Sequence, residues 1–232
     1  MDKTAIEHWS PVIGGQFWWS GVIFALIFVP LMIFVGGKLT SKQRDIAIYG
    51  MGIYQLGNKI LSQVGHLLSD NYILASNLPL HLCGLSGILA GIVVFYRKQM
   101  LFEFLYFFGL VGFIHSVLTP EFTGGTSTWK IFDYYVGHSM LIIIPVWLMK
   151  YYDFRLRPNS WWTSFVYLQL IVVIVMQINN IIGNGANYMY LAKAPIANSP
   201  LVLQDPYHII GFEIFALIHF YVLDVIARRM FN

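Results

Sequence analysis

Seven stretches of the chain stay apolar for about the length an α-helix needs to cross a bilayer, roughly 20 residues. They fall at about 17–37, 46–68, 78–96, 100–118, 132–150, 161–183 and 207–229. The third and fourth are short and joined by "YRKQ", which predicts a tight helical hairpin. The loops are brief except 119–131 and 184–206, and no repeat or low-complexity segment interrupts the pattern. The expectation is an all-α polytopic membrane bundle of about seven transmembrane helices, with residues 1–232 forming one transmembrane domain.

Polar residues break the apolar runs in register. In the second stretch Gln55, Asn58, Lys59, Ser62, Gln63 and His66 recur at spacings of three and four, which places them on one helix face. In the sixth, Gln169, Gln177, Asn180 and Asn184 fall near a single stripe, and Glu213 lies within the seventh. Interhelical hydrogen bonding accounts for any one amide. A whole stripe that includes a lysine reads better as the wall of a cavity or substrate groove. The third stretch carries Gly84, Gly87, Ala90 and Gly91, whose spacing lets a neighbouring helix approach closely.

Composition agrees with the span count. Apolar residues make up 57% of the chain, charged residues 11%, and mean hydropathy is +0.65, whereas soluble proteins carry roughly 25% charged residues. The net charge of +3 matters less than its placement. With alternating loops, one side holds Lys38, Lys42, Arg44, Arg97, Lys98, Lys150, Arg155, Arg157, Arg228 and Arg229. The other holds only Lys3, Lys130 and Lys193. Basic residues favour the cytoplasmic side, so the N-terminus is expected outside and the C-terminus inside. The opening "MDKTAIEHWSPVIGGQ" lacks the layout of a cleavable signal peptide. In this orientation His8, His66, His81, His115 and His208 gather at the outer side, His138 lies about two turns in, and His219 sits deeper. The cytoplasmic loops hold no histidine, which points to an outward-facing polar site.

The single cysteine lies in the same zone, in "NLPLHLCGLSG" (77–87). One thiol forms no intramolecular disulfide. Asn77 reads as an N-cap and Pro79 as a first-turn residue, which puts Cys83 near a helix N-terminus. Such a position favours the thiolate and offers free N–H groups to an oxyanion. A buried packing cysteine is the alternative. His81 is two residues from Cys83, about 200° around a regular helix, so it can serve only if residues 78–81 are unwound. His115 and His138 are the better candidates for a base. His81-x-Cys83 lacks a second pair at metal-site spacing, and no H-E-x-x-H occurs. Haem would need axial histidines at matched depth, for which His138 and His219 are the pair to consider. No G-x-S-x-G, phosphate loop or nucleic-acid signature is present, so no cofactor, no metal and no nucleic-acid partner are expected.

Four motifs in order, "LPLHLCG", "MLFEFLYFFGLVGFIHSVLTPEF", "GHS" and "GNGANYMYLAKAP", resemble the YwaF-like family of bacterial integral membrane proteins, which is similar to the eukaryotic transmembrane protein 164 group. The resemblance covers about residues 78–205. It implies an acyltransferase acting on lysophospholipids through an essential cysteine, which Cys83 matches, with a thioester intermediate. It also implies that Thr119, Glu121, Asn187 and Tyr188 shape the outer pocket, with Tyr190 and Lys193 as weaker candidates. Gly84 stands where many relatives carry an acidic residue.

The leading expectation is therefore a membrane acyltransferase or transacylase working on phospholipid or lysophospholipid at the outer leaflet of a bacterial plasma membrane. Cys83 is the nucleophile, and His115 or His138, or His81 in an unwound segment, is the base. Helix N-terminal amides hold the oxyanion, helped by Asn187 or Asn180. Asn180, Asn187, Tyr188, Thr119, Glu121, His66 and Gln63 face the substrate, and membrane lipids are the expected partners. A transporter or lipid-binding bundle is the first alternative, though the chain shows no inverted repeat and seven spans suit none. A metal or haem membrane protein is the second.

Overall fold

The computed structural model describes residues 9–68, 72–122, 127–195 and 203–231; Lys3 and His8 lie outside them. The described chain is helical, without β-strands, and one isolated bridge pairs Trp9 with Phe122. The elements are α1 (Gln16–Lys38), α2 (Ser41–Leu68), α3 (Leu74–Asn77), α4 (Leu82–Phe95) and α5 (Gln99–Phe104). A π-helical turn, Leu105–Gly109, continues α5 into α6 (Leu110–Leu118). Then follow α7 (Thr128–Tyr151), α8 (Ser160–Ile182), a 3₁₀ turn Tyr188–Tyr190 and α9 (His208–Phe231). Each of the seven expected spans appears as a helix, in order.

Among the described residues, five helices are long and apolar enough to cross a membrane: α1, the α5–α6 unit, α7, α8 and α9. The chain is a multi-pass membrane protein. The other two expected spans depart from a plain apolar helix for opposite reasons. α2 has 28 residues but carries the polar stripe. α4 is apolar but has only 14 residues, about 21 Å at 1.5 Å per residue, against a hydrocarbon core of about 30 Å. The third span thus begins at Leu82 rather than 78, which corrects the sequence expectation.

Small residues set the packing. α2 and α4 contact each other extensively. Gly91 of α4 receives Leu56, and Gly52 of α2 receives Val94. The small-residue face thus admits side chains of the neighbouring helix rather than its backbone. On the other side of α4, a methyl group at Gly109 would stand 2.8 Å from the Leu141 carbonyl oxygen, so α7 passes against the π turn. The central core lies here: Val93, Val94, Phe107, Ile143, Ile144 and Leu148 are fully buried. The outward faces of α1, α8 and α9 expose Leu26, Ile27, Leu170, Val173, Ile174, Ile210 and Ile214, as lipid-facing surfaces do.

The two ends of the bundle differ in chemistry. The ten basic residues assigned to one side by sequence lie at the end formed by the α1–α2, α4–α5 and α7–α8 connections and the end of α9. Arg97 pairs with Asp45 at 3.4 Å, and Asp45 accepts the Tyr152 hydroxyl at 2.7 Å. Arg228 pairs with Asp224 at 2.7 Å and also donates to the Arg157 carbonyl. The deepest of these contacts is Glu103, whose side chain is 3% exposed. Its carboxylate receives Arg157 Nη2 at 2.7 Å, Arg157 Nε at 3.0 Å, the Arg157 amide at 2.9 Å and Gln99 at 2.9 Å.

This geometry predicts an asymmetry. Arg157→Ala leaves a buried carboxylate short of two donors, Nε and Nη2, whereas Glu103→Gln leaves a guanidinium that is 56% exposed and water can reach. A buried acceptor stripped of its partner costs about 2 kcal/mol. Thermal unfolding in detergent should therefore show Arg157→Ala clearly less stable than wild type and less stable than Glu103→Gln.

Candidate functional site

The break between α3 and α4 is built by hydrogen bonds from outside it. Gln63 of α2 donates to the Asn77 carbonyl at 2.6 Å. The Leu78 amide donates to the Tyr188 hydroxyl at 2.9 Å, and that hydroxyl donates to the Leu74 carbonyl at 2.6 Å. The Leu80 amide closes a tight turn on the Leu78 carbonyl at 2.9 Å. Pro79 has no N–H to offer a helix. With these backbone groups engaged elsewhere, residues 78–81 stay outside the helix and His81 takes the extended N-cap conformation. Asn77 does not cap α4; its side chain accepts the Ile73 amide at the start of α3, at 2.6 Å.

Cys83 is consequently the second residue of α4. The first amide of that helix to reach a carbonyl is Leu85, on His81 at 3.0 Å, which leaves the amides of Leu82, Cys83 and Gly84 without an intrahelical acceptor. The Cys83 thiol points at α6, where it donates weakly to the Gly112 carbonyl at 3.8 Å. A methyl group at 112 would meet Sγ at 3.2 Å, so glycine makes the space for the sulfur. Gly84 is under a stricter constraint: a methyl there would stand 2.6 Å from the Pro79 carbonyl oxygen. An acidic side chain, expected at 84 in many relatives, has no room here.

Two residues stand near both Cys83 and His138. Tyr134 of α7 lies within electrostatic range of Cys83, and its ring packs on His138 with centroids 4.2 Å apart. Lys59 of α2 is within electrostatic range of Cys83 and of His138. His138 Nδ1 lies 2.7 Å from the Tyr134 carbonyl. A carbonyl only accepts, so Nδ1 carries the hydrogen and Nε2 holds the basic lone pair. His115 is grouped differently, with its ring 5.5 Å from that of His219 on α9. His81 packs on Tyr188 and Tyr190, centroids 5.5 and 5.1 Å away. Among the described residues no group of three or more His, Cys, Asp or Glu side chains could hold a metal ion.

The segment after α8 folds over this end. Asn179 is buried and grips Tyr188 on both backbone sides, accepting its amide and donating to its carbonyl, each at 3.0 Å. Met189 and Tyr190 both take left-handed conformations (φ 57° and 55°), which side-chain-bearing residues adopt at a cost of about 1–2 kcal/mol each. They are held by contacts on either side: His208 Nε2 donates to the Tyr190 carbonyl at 2.9 Å, and the Tyr190 hydroxyl donates to Glu121 at 2.8 Å. Burial, and then the Glu121 charge, push the Tyr190 phenol well above its ordinary range, so it remains a donor.

The remaining expected residues divide between this assembly and its supports. Tyr188, Glu121 and Gln63 are part of the assembly. Thr119 Oγ1 donates to the His115 carbonyl at 3.0 Å, finishing α6. Asn187 braces its own loop through Ala192 and Lys193. His66 lies half-buried near the end of α2. Asn180 is exposed, and its neighbour Asn179 turns inward. Lys59 was visible in the sequence as a lone cation in an apolar span. Asp133 and Tyr134 gave no signal there. Asp133 accepts Tyr54 at 2.6 Å and Asn58 at 2.7 Å, which ties the polar face of α2 to α7.

Tyr188→Phe removes one hydroxyl and leaves the Leu78 amide and Leu74 carbonyl unpaired, a loss of about 2 kcal/mol. Amide hydrogen exchange should quicken across residues 74–81 while the basic end keeps wild-type protection.

No curated protein and no solved structure matches the chain. A family model does match, over residues 6–224: that of the TMEM164 family.

Proposed function

The chain belongs to the TMEM164 family, and on that footing we propose that it transfers acyl chains between membrane lipids through a thioester on Cys83. One observation carries the reading. The only thiol of the chain sits in the first turn of a short helix whose leading amides have no intrahelical acceptor, and His138 of α7, whose Nδ1 is bonded to the Tyr134 carbonyl, shares Tyr134 and Lys59 with it as neighbours.

In this reading His138 Nε2 takes the thiol proton. The thiolate adds to the ester carbonyl of a phospholipid, and the carbonyl electron pair moves onto oxygen, facing the first-turn amides. Collapse of the adduct breaks the ester C–O bond. The departing lysolipid oxygen takes the proton from His138, and the acyl chain stays on sulfur. A lysolipid hydroxyl then gives its proton to His138, attacks the thioester and regenerates the thiol. No cofactor is needed. With the N-terminus outside, the histidine end faces the outer leaflet, out of reach of cytoplasmic acyl-CoA, which makes a lipid ester the donor. The bacterial plasma membrane is the proposed location.

His138 is assigned as the base over His115 because Tyr134 and Lys59 join it to Cys83, while His115 is packed against His219. Purified protein in vesicles with radiolabelled lysophospholipid should move label into diacyl lipid. Cys83→Ser should abolish this, and His138→Gln should lower it about a hundredfold or more. His115→Gln should lose far less. Equal transfer by wild type and Cys83→Ser would refute the cysteine mechanism.

A further inference from the structure

Lys59 reaches from α2 across α4 at Gly87. A methyl group at 87 would stand 2.8 Å from Lys59 Cε and 3.7 Å from Nζ, so glycine keeps the path open. Gly87 follows Cys83 by four residues and shares its face of α4. The amine therefore lies about one turn along that face from the sulfur. Lys59 has no hydrogen bond or ion pair among the described residues; the nearby charges are those of Cys83 and Asp133. Asp133 is already engaged by Tyr54 and Asn58.

The first turn of α4 adds three backbone donors, the amides of Leu82, Cys83 and Gly84, which have no intrahelical acceptor. A cation held inside a low-dielectric bundle without an anion bonded to it is costly. A negative charge at Cys83 offsets that cost.

We infer that Lys59 is the counter-ion of Cys83, its ammonium facing the thiolate sulfur and then the oxyanion of the acyl adduct. The second half rests on the acyl-transfer reading; the first does not. Lys59 exchanges no proton or electron pair in the cycle. It lowers the energy of the charged species that His138 creates by removing the thiol proton. Its role is electrostatic, and guanidinium can replace ammonium where a neutral side chain cannot.

Because Cys83 is the chain's only thiol, alkylation of the detergent-purified protein by neutral iodoacetamide, followed by mass spectrometry, reads this one site. Rates would be measured from about pH 6 to about pH 10, spanning the ordinary thiol range. Lys59→Met should react about tenfold more slowly than wild type near neutrality, the equivalent of one pH unit, and converge with it at high pH. Lys59→Arg should restore most of the rate. Gly87→Ala keeps the lysine but pushes its flexible stem aside, so it should slow labelling in the same pH-dependent way. It also decides the matter if Lys59→Met fails to fold. A wild-type profile in Lys59→Met or Gly87→Ala overturns the inference, and so does an equal slowing at every pH, which marks a steric effect. If wild type moves no acyl chain yet the Lys59→Met profile shifts, the ion pair stands and the acyl-transfer reading falls.

Discussion

The Tyr188 hydroxyl decides where α4 begins. By accepting the Leu78 amide and donating to the Leu74 carbonyl, it engages backbone groups that a continuous helix would use internally. Gln63 does the same for the Asn77 carbonyl. The consequence is a helix that starts at Leu82, places Cys83 in its first turn and leaves three amides beside the sulfur. Were the helix to run from residue 78, those amides would be bonded within it and Cys83 would be an ordinary packed residue. Tyr188 is itself fixed by Asn179, and the left-handed Met189 and Tyr190 that follow it are held by His208 and Glu121. Backbone strain after α8 and the exposed helix start of α4 are thus two parts of one assembly.

The two helices that least resemble ordinary membrane spans are the ones that build this site. α2 carries polar residues that a bilayer would reject, and each of those facing inward has a use. Gln55 donates to the Gly137 carbonyl at 2.8 Å, Asn58 to Asp133, and Gln63 to Asn77. Lys59 has no such hydrogen bond among the described residues. α4 is short because its first turn is given up to the break, and it tolerates this by packing glycines against α2. Apolar helices on the outside meet the lipid and leave these two free to be polar and irregular.

Much of the fold was legible in the sequence because run length is a direct consequence of bilayer thickness. All seven helices follow from it, and α2 starts earlier than its apolar run only because "SKQRD" is helical but too polar to count as span. The start of α4 was not legible. Asn77 and Pro79 look like a cap and a first turn, and only long-range bonds from Gln63 and Tyr188 override that local preference. On α8 the buried stripe is Ser164, Leu168, Val172, Val175 and Asn179, at spacings of four, four, three and four. The polar stripe drawn through Gln177 and Asn180 lies beside it and is exposed, so the neighbouring asparagine does the inward work. In the candidate site, Cys83 and His138 were visible as rare chemistry in apolar surroundings. Tyr134 was not, because an aromatic near a helix end in a membrane protein carries no distinguishing mark.

The central claim is that an acyl chain resides on Cys83 during the reaction. Wild-type protein incubated with phospholipid bearing an isotopically heavy acyl chain, quenched in acid and digested, gives the peptide containing Cys83 for mass spectrometry. The account predicts a fraction of that peptide heavier by the acyl mass and released by neutral hydroxylamine, as a thioester is. Transfer of heavy acyl chain to lysolipid with the Cys83 peptide unmodified at every time point would contradict it.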